Sequence, residues 1–500
     1  MPNTQALYDQ YRNHMTTLAD VRSASALLQW DQETYLPAGA GERRGTQIST
    51  LSELAHQLFT SAQLGDVMQA LAQRKDLTAA QRVNVQRSLH DYQKAQRYPS
   101  AFVRRLSEAV NKAFHSWVSA RNENSFGAYA PALSNLIALK KEEAALLGGG
   151  AHPYDALLDE YERGCTVALL DKTFESLLPR LSGLLEQIKE APQVDDTFLH
   201  QHFPKDAQWA WGIGLIKDLG FDFSKGRQDV SEHPFSTSFG ATDVRITTRI
   251  NEQDFGSMTW SCIHEVGHAL YEQGLPDDQY GLPMGEAASY SIHESQSRLW
   301  ENNVGRSLPF WTHWYPKLQG HFPQQLGGIN LQRFYKGINK VQPSLIRTEA
   351  DEVTYHFHVA IRYHLEKELI AGNASAGDVV PYWNSQYKNL LGVTVPDDKR
   401  GALQDVHWSH GSFGYFPTYS LGSLYAAQFF GAAQQAMPNM ESQVQSGDLS
   451  GLLGWLRTHI HSRGKALDSE ALCKEITDTG LDVEYFSGYL FEKYRSIYIL

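Results

Sequence analysis

Apolar residues recur at three- and four-residue steps through most of this chain, the spacing that lines one face of an α-helix. Over residues 4–34 the series Leu7, Tyr8, Tyr11, Met15, Leu18, Val21, Leu27, Leu28 and Trp30 holds that period until Pro37-Ala38-Gly39-Ala40 breaks it. The same periodicity predicts helices over 41–61, 65–74, 78–96, 100–123, 127–148, 154–163 and 168–190, and one starting near Lys205 and ending at Leu219. Breakers such as Tyr98-Pro99-Ser100 and Gly148-Gly149-Gly150 separate them. No 34- or 40-residue repeat is visible, so the first 220 residues read as a helical array rather than a solenoid.

After Gly220 the period changes. Thr, Val and Ile alternate around Gly240, in 236–239 and 242–250, which predicts a hairpin or small sheet. Arg245 and Arg249 fall on one face of such a strand. Helical spacing returns at 258–271, 285–304, 331–340, 350–371 and 376–390, and again at 421–437, 441–462 and 467–497. Between these, Phe310-Trp311 and Phe322 look like core aromatics. The fold class predicted is mainly α with a small sheet. The chain reads as one domain, with a helical half (1–220), a part carrying the chemistry (221–430) and C-terminal helices (431–500).

Composition narrows the function. Hydrophobic residues make up 42% and aromatics 11% of 500 residues, enough for a large core or two lobes. Lys and Arg number 44 against 56 Asp and Glu, and the net charge of −12 with no basic block argues against nucleic acid as a partner. Cys165, Cys262 and Cys473 are too few and too scattered for a disulfide framework, and none is spaced C-x-x-C. No run of 18 apolar residues predicts a membrane span, and the first residues lack an apolar signal core. A cytoplasmic location is expected.

The chemistry concentrates in 258–271, MTWSCIHEVGHALY. His264 and His268 are one helical turn apart, so their imidazoles point the same way with Cβ atoms about 5–6 Å apart. These are two ligands of a tetrahedral zinc site. Glu265, rotated by about 100°, stays off the metal but within reach of a water there, as a general base. Gly267 would admit a close backbone neighbour. A metzincin continuation needs a histidine where the chain has Gly274, so that class is excluded. A third ligand could come from the next helical stretch, which offers Glu286, Glu294 and Glu301, and the turn at 274–278 leaves room for a helix returning with Glu294. His293 would orient a ligand from the second layer of contacts. Further on, Arg347 stands in an otherwise apolar approach, and His356 and His358 alternate as packing residues. The loop Gly401 to Tyr419 is dense in glycine, histidine and tyrosine, whose polar tips can hydrogen-bond an oxyanion.

Several motifs occur together. They are Leu28-Gln29-Trp30-Asp31-Gln32-Glu33, His233-Pro234-Phe235, Asp243-Val244-Arg245-Ile246-Thr247, HExxH at 264–268, His293-Glu294-Ser295-Gln296, the 346–351 stretch Ile-Arg-Thr-Glu-Ala-Asp, and G-x-x-Q-D-x-H-W at 401–408. In this order they resemble the carboxypeptidase Taq family of metallopeptidases, along nearly the whole chain. The resemblance implies a gluzincin-like helical fold with a deep central groove, a homodimer, peptide substrates, and metal binding by His264, His268 and Glu294 with Glu265 activating water. Zinc is the expected cofactor, with Co2+ or Mn2+ able to substitute. The activity implied is release of single C-terminal residues with broad specificity; an oligopeptidase or dipeptidyl carboxypeptidase, or a scaffold that binds zinc without catalysis, are the rival readings. An exopeptidase must bind a free carboxylate, which the planar fork of arginine suits. Arg347 is the first candidate and Arg245 the second, and His233 is a further candidate for substrate binding. His407 and Tyr419 are expected to stabilise the oxyanion, with His410 and Tyr415 as alternates that contact substrate.

Overall fold

The computed structural model describes residues 3–500. They form two compact units, each gathered from three separate stretches of chain. The first includes the chain up to Gln96, Asp196–Ile338 and Phe429–Gly480; the second includes Arg97–Asp195, Asn339–Gln428 and Leu481–Leu500. The stretches 1–220, 221–430 and 431–500 do not coincide with these units.

Both units are mainly helical. The first helix spans Thr4–Thr34, as the periodicity predicts, and starts where the Asn3 side chain accepts the Ala6 N–H at 2.7 Å. Its stripe of Leu7, Tyr11, Met15 and Leu18 packs with Leu64, Met68, Leu71 and Val85 from the next helices of the unit.

The first unit also holds the only sheet among the described residues, in the order β1 (Gly226–Val230), β3 (Val244–Thr248), β2 (Ser236–Ser238). β2 and β3 form the expected antiparallel hairpin, with Thr237 opposite Arg245. β1, which periodicity did not reveal, runs parallel to β3 on its other side, with Arg227 opposite Arg245. Its sequence GRQDV has no apolar alternation, and its buried polar side chains find polar partners instead: Gln228 donates to Cys262 Sγ and Arg227 pairs with Asp229. On central β3, Val244, Ile246 and Thr248 are buried on one face. Thr248 Oγ1 meets Ser261 Oγ at 2.6 Å, which docks the sheet on the HExxH helix, Phe255–Glu272.

That helix begins at Asp254, whose carboxylate accepts the Gly256 N–H at 2.8 Å. The chain returns through two short turns into a second helix, Tyr290–Arg298, capped by Ser289 on the Ile292 N–H at 3.0 Å. The helix predicted over 285–304 therefore starts later, and it ends in a π-helical turn, Leu299–Val304. The two helices cross at Gly267, where a Cβ would lie 2.5 Å from Ser297 Cα. Glycine at this position is what lets Glu294 approach His264 and His268. The aromatics at 310–314 are core residues as expected, on an unpredicted helix, Leu308–His321.

In the second unit the helix Tyr355–Ala371 is buried all round, a centre for its neighbours rather than a surface element. Its histidines pack as expected: His356 Nδ1 meets Ser420 Oγ at 3.0 Å and His358 Nδ1 meets Tyr387 Oη at 2.9 Å. The C-terminal helical run of 467–497 is two helices, Ser469–Thr477 and Val483–Tyr498, parted at Gly480.

Candidate functional site

His264, His268 and Glu294 are the one group of metal-capable side chains brought together among the described residues, with one ligand atom from each lying within 4.8 Å of the others. Glu294 Oε2 is 3.4 Å from His268 Nε2 and 3.7 Å from His264 Nε2. Tetrahedral bonds of about 2.0–2.2 Å put neighbouring ligand atoms about 3.3–3.6 Å apart, so a cation fits between these atoms with little adjustment.

The nitrogens facing away support the same reading. His264 Nδ1 donates to Glu301 Oε2 at 2.8 Å, and His268 Nδ1 lies 3.1 Å from the His293 carbonyl oxygen. Each ring thus has its proton placed on Nδ1, which leaves the Nε2 lone pair for a metal. Glu301, a rival for third ligand from spacing alone, is instead the carboxylate that orients His264. Glu286, the other rival, is half-exposed and pairs with Lys465 at 3.4 Å. His293 stacks on His268 with centroids 4.5 Å apart, and its Nε2 meets Glu272 Oε1 at 2.8 Å.

Arg298 explains how two carboxylates stay ionised in a buried place. It donates from Nε to Glu294 Oε1 at 2.7 Å and from Nη1 to Glu301 Oε2 at 3.2 Å. Burial alone would raise both carboxyls, but Arg298 and the imidazoles hold Glu301 down at about 2 and Glu294 lower still. The i,i+4 pair of Glu294 and Arg298 is not an alternative to metal binding, because it uses the other oxygen. Glu265 has no such cation bonded to it, and burial pushes its carboxyl up to about 7.

The remaining candidates fall in two groups. In the first unit, Arg245 grips both oxygens of Asp243 at 2.9 Å and stacks on Trp30, 4.5 Å from the ring centre. His233 is exposed. In the second unit, Arg347 is buried and donates to Asp405 Oδ1 and to Tyr355 Oη, at 3.0 and 2.9 Å. Its partner is Asp405 and not Asp351, which caps Thr354 instead. Asp405 also binds Arg362, which is wholly buried and donates to its Oδ2 at 2.7 Å. His407 Nε2 meets Tyr419 Oη at 3.1 Å, and the Tyr419 ring lies under the Arg347 guanidinium, 4.8 Å away. Burial and Arg347 push His407 down to about 3, so it is neutral at working pH, and its buried Nδ1 has no hydrogen-bond partner. Tyr415 stands against this pair, 5.3 Å from Tyr419 between ring centres, whereas His410 is exposed and stacks on Phe114. Arg362 was missed by sequence reasoning, since nothing in its helical context separates it from a surface arginine.

The comparisons with known proteins agree with this chemistry. Residues 10–494 match the family described as carboxypeptidase Taq (M32) metallopeptidase. The chain is 38% identical to thermostable carboxypeptidase 1 of Thermus thermophilus, across 99% of both chains. It is 37% identical to carboxypeptidase 1 of Bacillus subtilis, across 95% of this chain and 96% of the other. Among solved structures, the M32 carboxypeptidase from Deinococcus radiodurans R1 matches with a TM-score of 0.97 and 39% identity, covering 99% of this chain and 100% of that one. Nearly complete coverage at this identity means that the whole fold is shared, including the helices that carry HExxH and Glu294. The chain belongs to the carboxypeptidase Taq (M32) family and is a metal-dependent carboxypeptidase.

Proposed function

We propose that this protein is a zinc carboxypeptidase that removes single residues from the C-terminus of peptides with broad specificity, with His264, His268 and Glu294 as ligands. Two imidazoles and one carboxylate are a donor set of catalytic zinc, and Co2+ or Mn2+ suits the same atoms. When bound, the cation supplies Lewis acidity toward a water and the scissile carbonyl. Glu265 takes the proton of the attacking water and passes it to the leaving amine. His407 and Tyr419 donate to the developing oxyanion, with Tyr415 beside them.

The observation that carries the exopeptidase assignment is a charge imbalance around Arg347. Arg347 and Arg362 share one carboxylate, Asp405, while neutral His407 adds no charge, so one buried positive charge lacks an anion. Arg347 has five N–H groups, and its contacts with Asp405 and Tyr355 use three of them, leaving one on each terminal nitrogen. A substrate α-carboxylate supplies the missing charge and accepts both. Arg245, with both sides of its fork on Asp243, is the second candidate. His233 and His410, both exposed, are available for contacts with the rest of a peptide.

No helix among the described residues is long and apolar enough to cross a membrane. The three cysteines are unpaired and buried, as suits the reducing cytoplasm, and the family resemblance supports a homodimer. The decisive experiment follows a blocked peptide as its free acid and as its C-terminal amide, with products identified by mass over time. Stepwise loss of single residues from the acid alone, abolished by chelator and restored by zinc, is the expected outcome. Cleavage of the amide would overturn the role of Arg347, and release of dipeptides the removal of single residues.

A further inference from the structure

His407 opens a short 3-10 turn in an otherwise irregular loop that runs up to the helix Pro417–Ala436 carrying Tyr419, and one buried helix holds that loop at two places. Arg362 and Glu366 lie one turn apart on Tyr355–Ala371. Arg362 holds Asp405 and also donates to Gln404 Oε1 at 2.9 Å. Glu366 is completely buried and accepts three hydrogen bonds. Trp408 Nε1 donates to its Oε1 at 2.6 Å; the Gly414 N–H, at 2.8 Å, and Tyr154 Oη donate to its Oε2.

Gly414 has a φ of +100°, and a Cβ there would lie 2.6 Å from the Leu157 carbonyl oxygen. Only glycine lets the loop pass close enough for this N–H to reach Glu366. A buried carboxylate is less stabilising than an apolar side chain of the same size unless its bonds do something specific. Here two of the three fix the chain after His407, while Arg362 holds Gln404 and Asp405 before it. Trp408 follows it directly, and Gly414 leads into Phe416, whose ring lies 4.4 Å from the His407 ring.

We propose that Glu366 is a positioning residue for the reaction, holding Trp408 and Gly414 so that His407 Nε2 and Tyr419 Oη keep the placement the oxyanion requires. The proposal rests on the oxyanion reading of His407 given above.

The test compares Glu366→Gln, Trp408→Phe, which removes one donor and keeps the aromatic bulk, and His407→Ala, alone and combined. With a peptide acid as substrate, each single variant is expected to lower kcat on the order of 10- to 100-fold with KM within about twofold. Metal content should stay that of the parent protein. Trp408→Phe combined with His407→Ala should be no slower than His407→Ala alone, because the two act through one group. If Glu366→Gln fails to fold, the Trp408→Phe cycle still decides. Additive losses in the double variant, or parental kcat in Trp408→Phe, would overturn the positioning role while leaving the oxyanion reading intact. Parental kcat in His407→Ala would remove that reading and the proposal with it.

Discussion

Glu301 does at residue scale what sequence spacing could not assign to it. From spacing it competes with Glu294 for the metal; in the structure it accepts a hydrogen bond from His264 Nδ1 instead. Replacing it with glutamine keeps its shape but loses the charge, and metal affinity measured against a chromophoric chelator should fall about 10- to 100-fold. Glu265→Gln should leave that affinity unchanged and lower kcat about 100- to 10,000-fold. The HExxH residues were legible because four-residue spacing on a helix determines which side chains meet. Arg362, Asp405 and Glu366 were not, because their meaning lies in partners that only the folded chain brings near. Glu366 also makes a prediction about pH. Burial pushes its carboxyl up to about 7 despite its three donors. An unfolded glutamate ionises near pH 4.3. Below that value both states hold the proton; between it and about pH 7 only the native state does, so stability falls as pH rises and then levels off. The full drop is of order 3 kcal/mol. Denaturation midpoints at pH 5 and pH 8 should differ in the parent protein and less so in Glu366→Gln.

At the scale of elements, the site depends on the closeness of two helices. The crossing at Gly267 leaves no room for a methyl group, since its neighbours are the Ser297 Cα and the Gln296 carbonyl oxygen rather than a flexible side chain. Gly267→Ala should therefore push the helices apart, costing about 1–3 kcal/mol. Because Glu294 rides on the displaced helix, metal affinity should fall along with the thermal midpoint. Most helices were readable from apolar spacing, the first of them over its whole length. β1 was not, because Gln228 and Asp229 are buried by pairing rather than by being apolar. The π-helical turn after Arg298 likewise leaves no mark on a pattern of apolar residues. It nonetheless carries Glu301, an instance of irregular helix at a functional site.

For the whole molecule, metal binding and the proposed carboxylate recognition belong to different units. Arg347→Met should therefore leave metal content untouched while weakening peptide acids by about 1.5–3 kcal/mol, roughly 10- to 100-fold in KM. Peptide binding curves and metal analysis on the same sample separate the two effects. Periodicity alone gave no hint that each unit is gathered from three stretches, because local spacing carries no information about which distant segments meet. That interleaving has a consequence for synthesis. His461 Nε2 donates to Gln296 Oε1 at 3.0 Å, and its ring lies against Tyr271 of the HExxH helix. The 165 residues from Ser297 to His461 must leave the ribosome before the helices bearing the ligands gain this support. At about 5–20 residues per second that is a delay of roughly 8–33 s. Chains that end before His461 lack this contact between the C-terminal part and the ligand helices, and are expected to hold metal more weakly than the full chain, which metal analysis of such truncations would check.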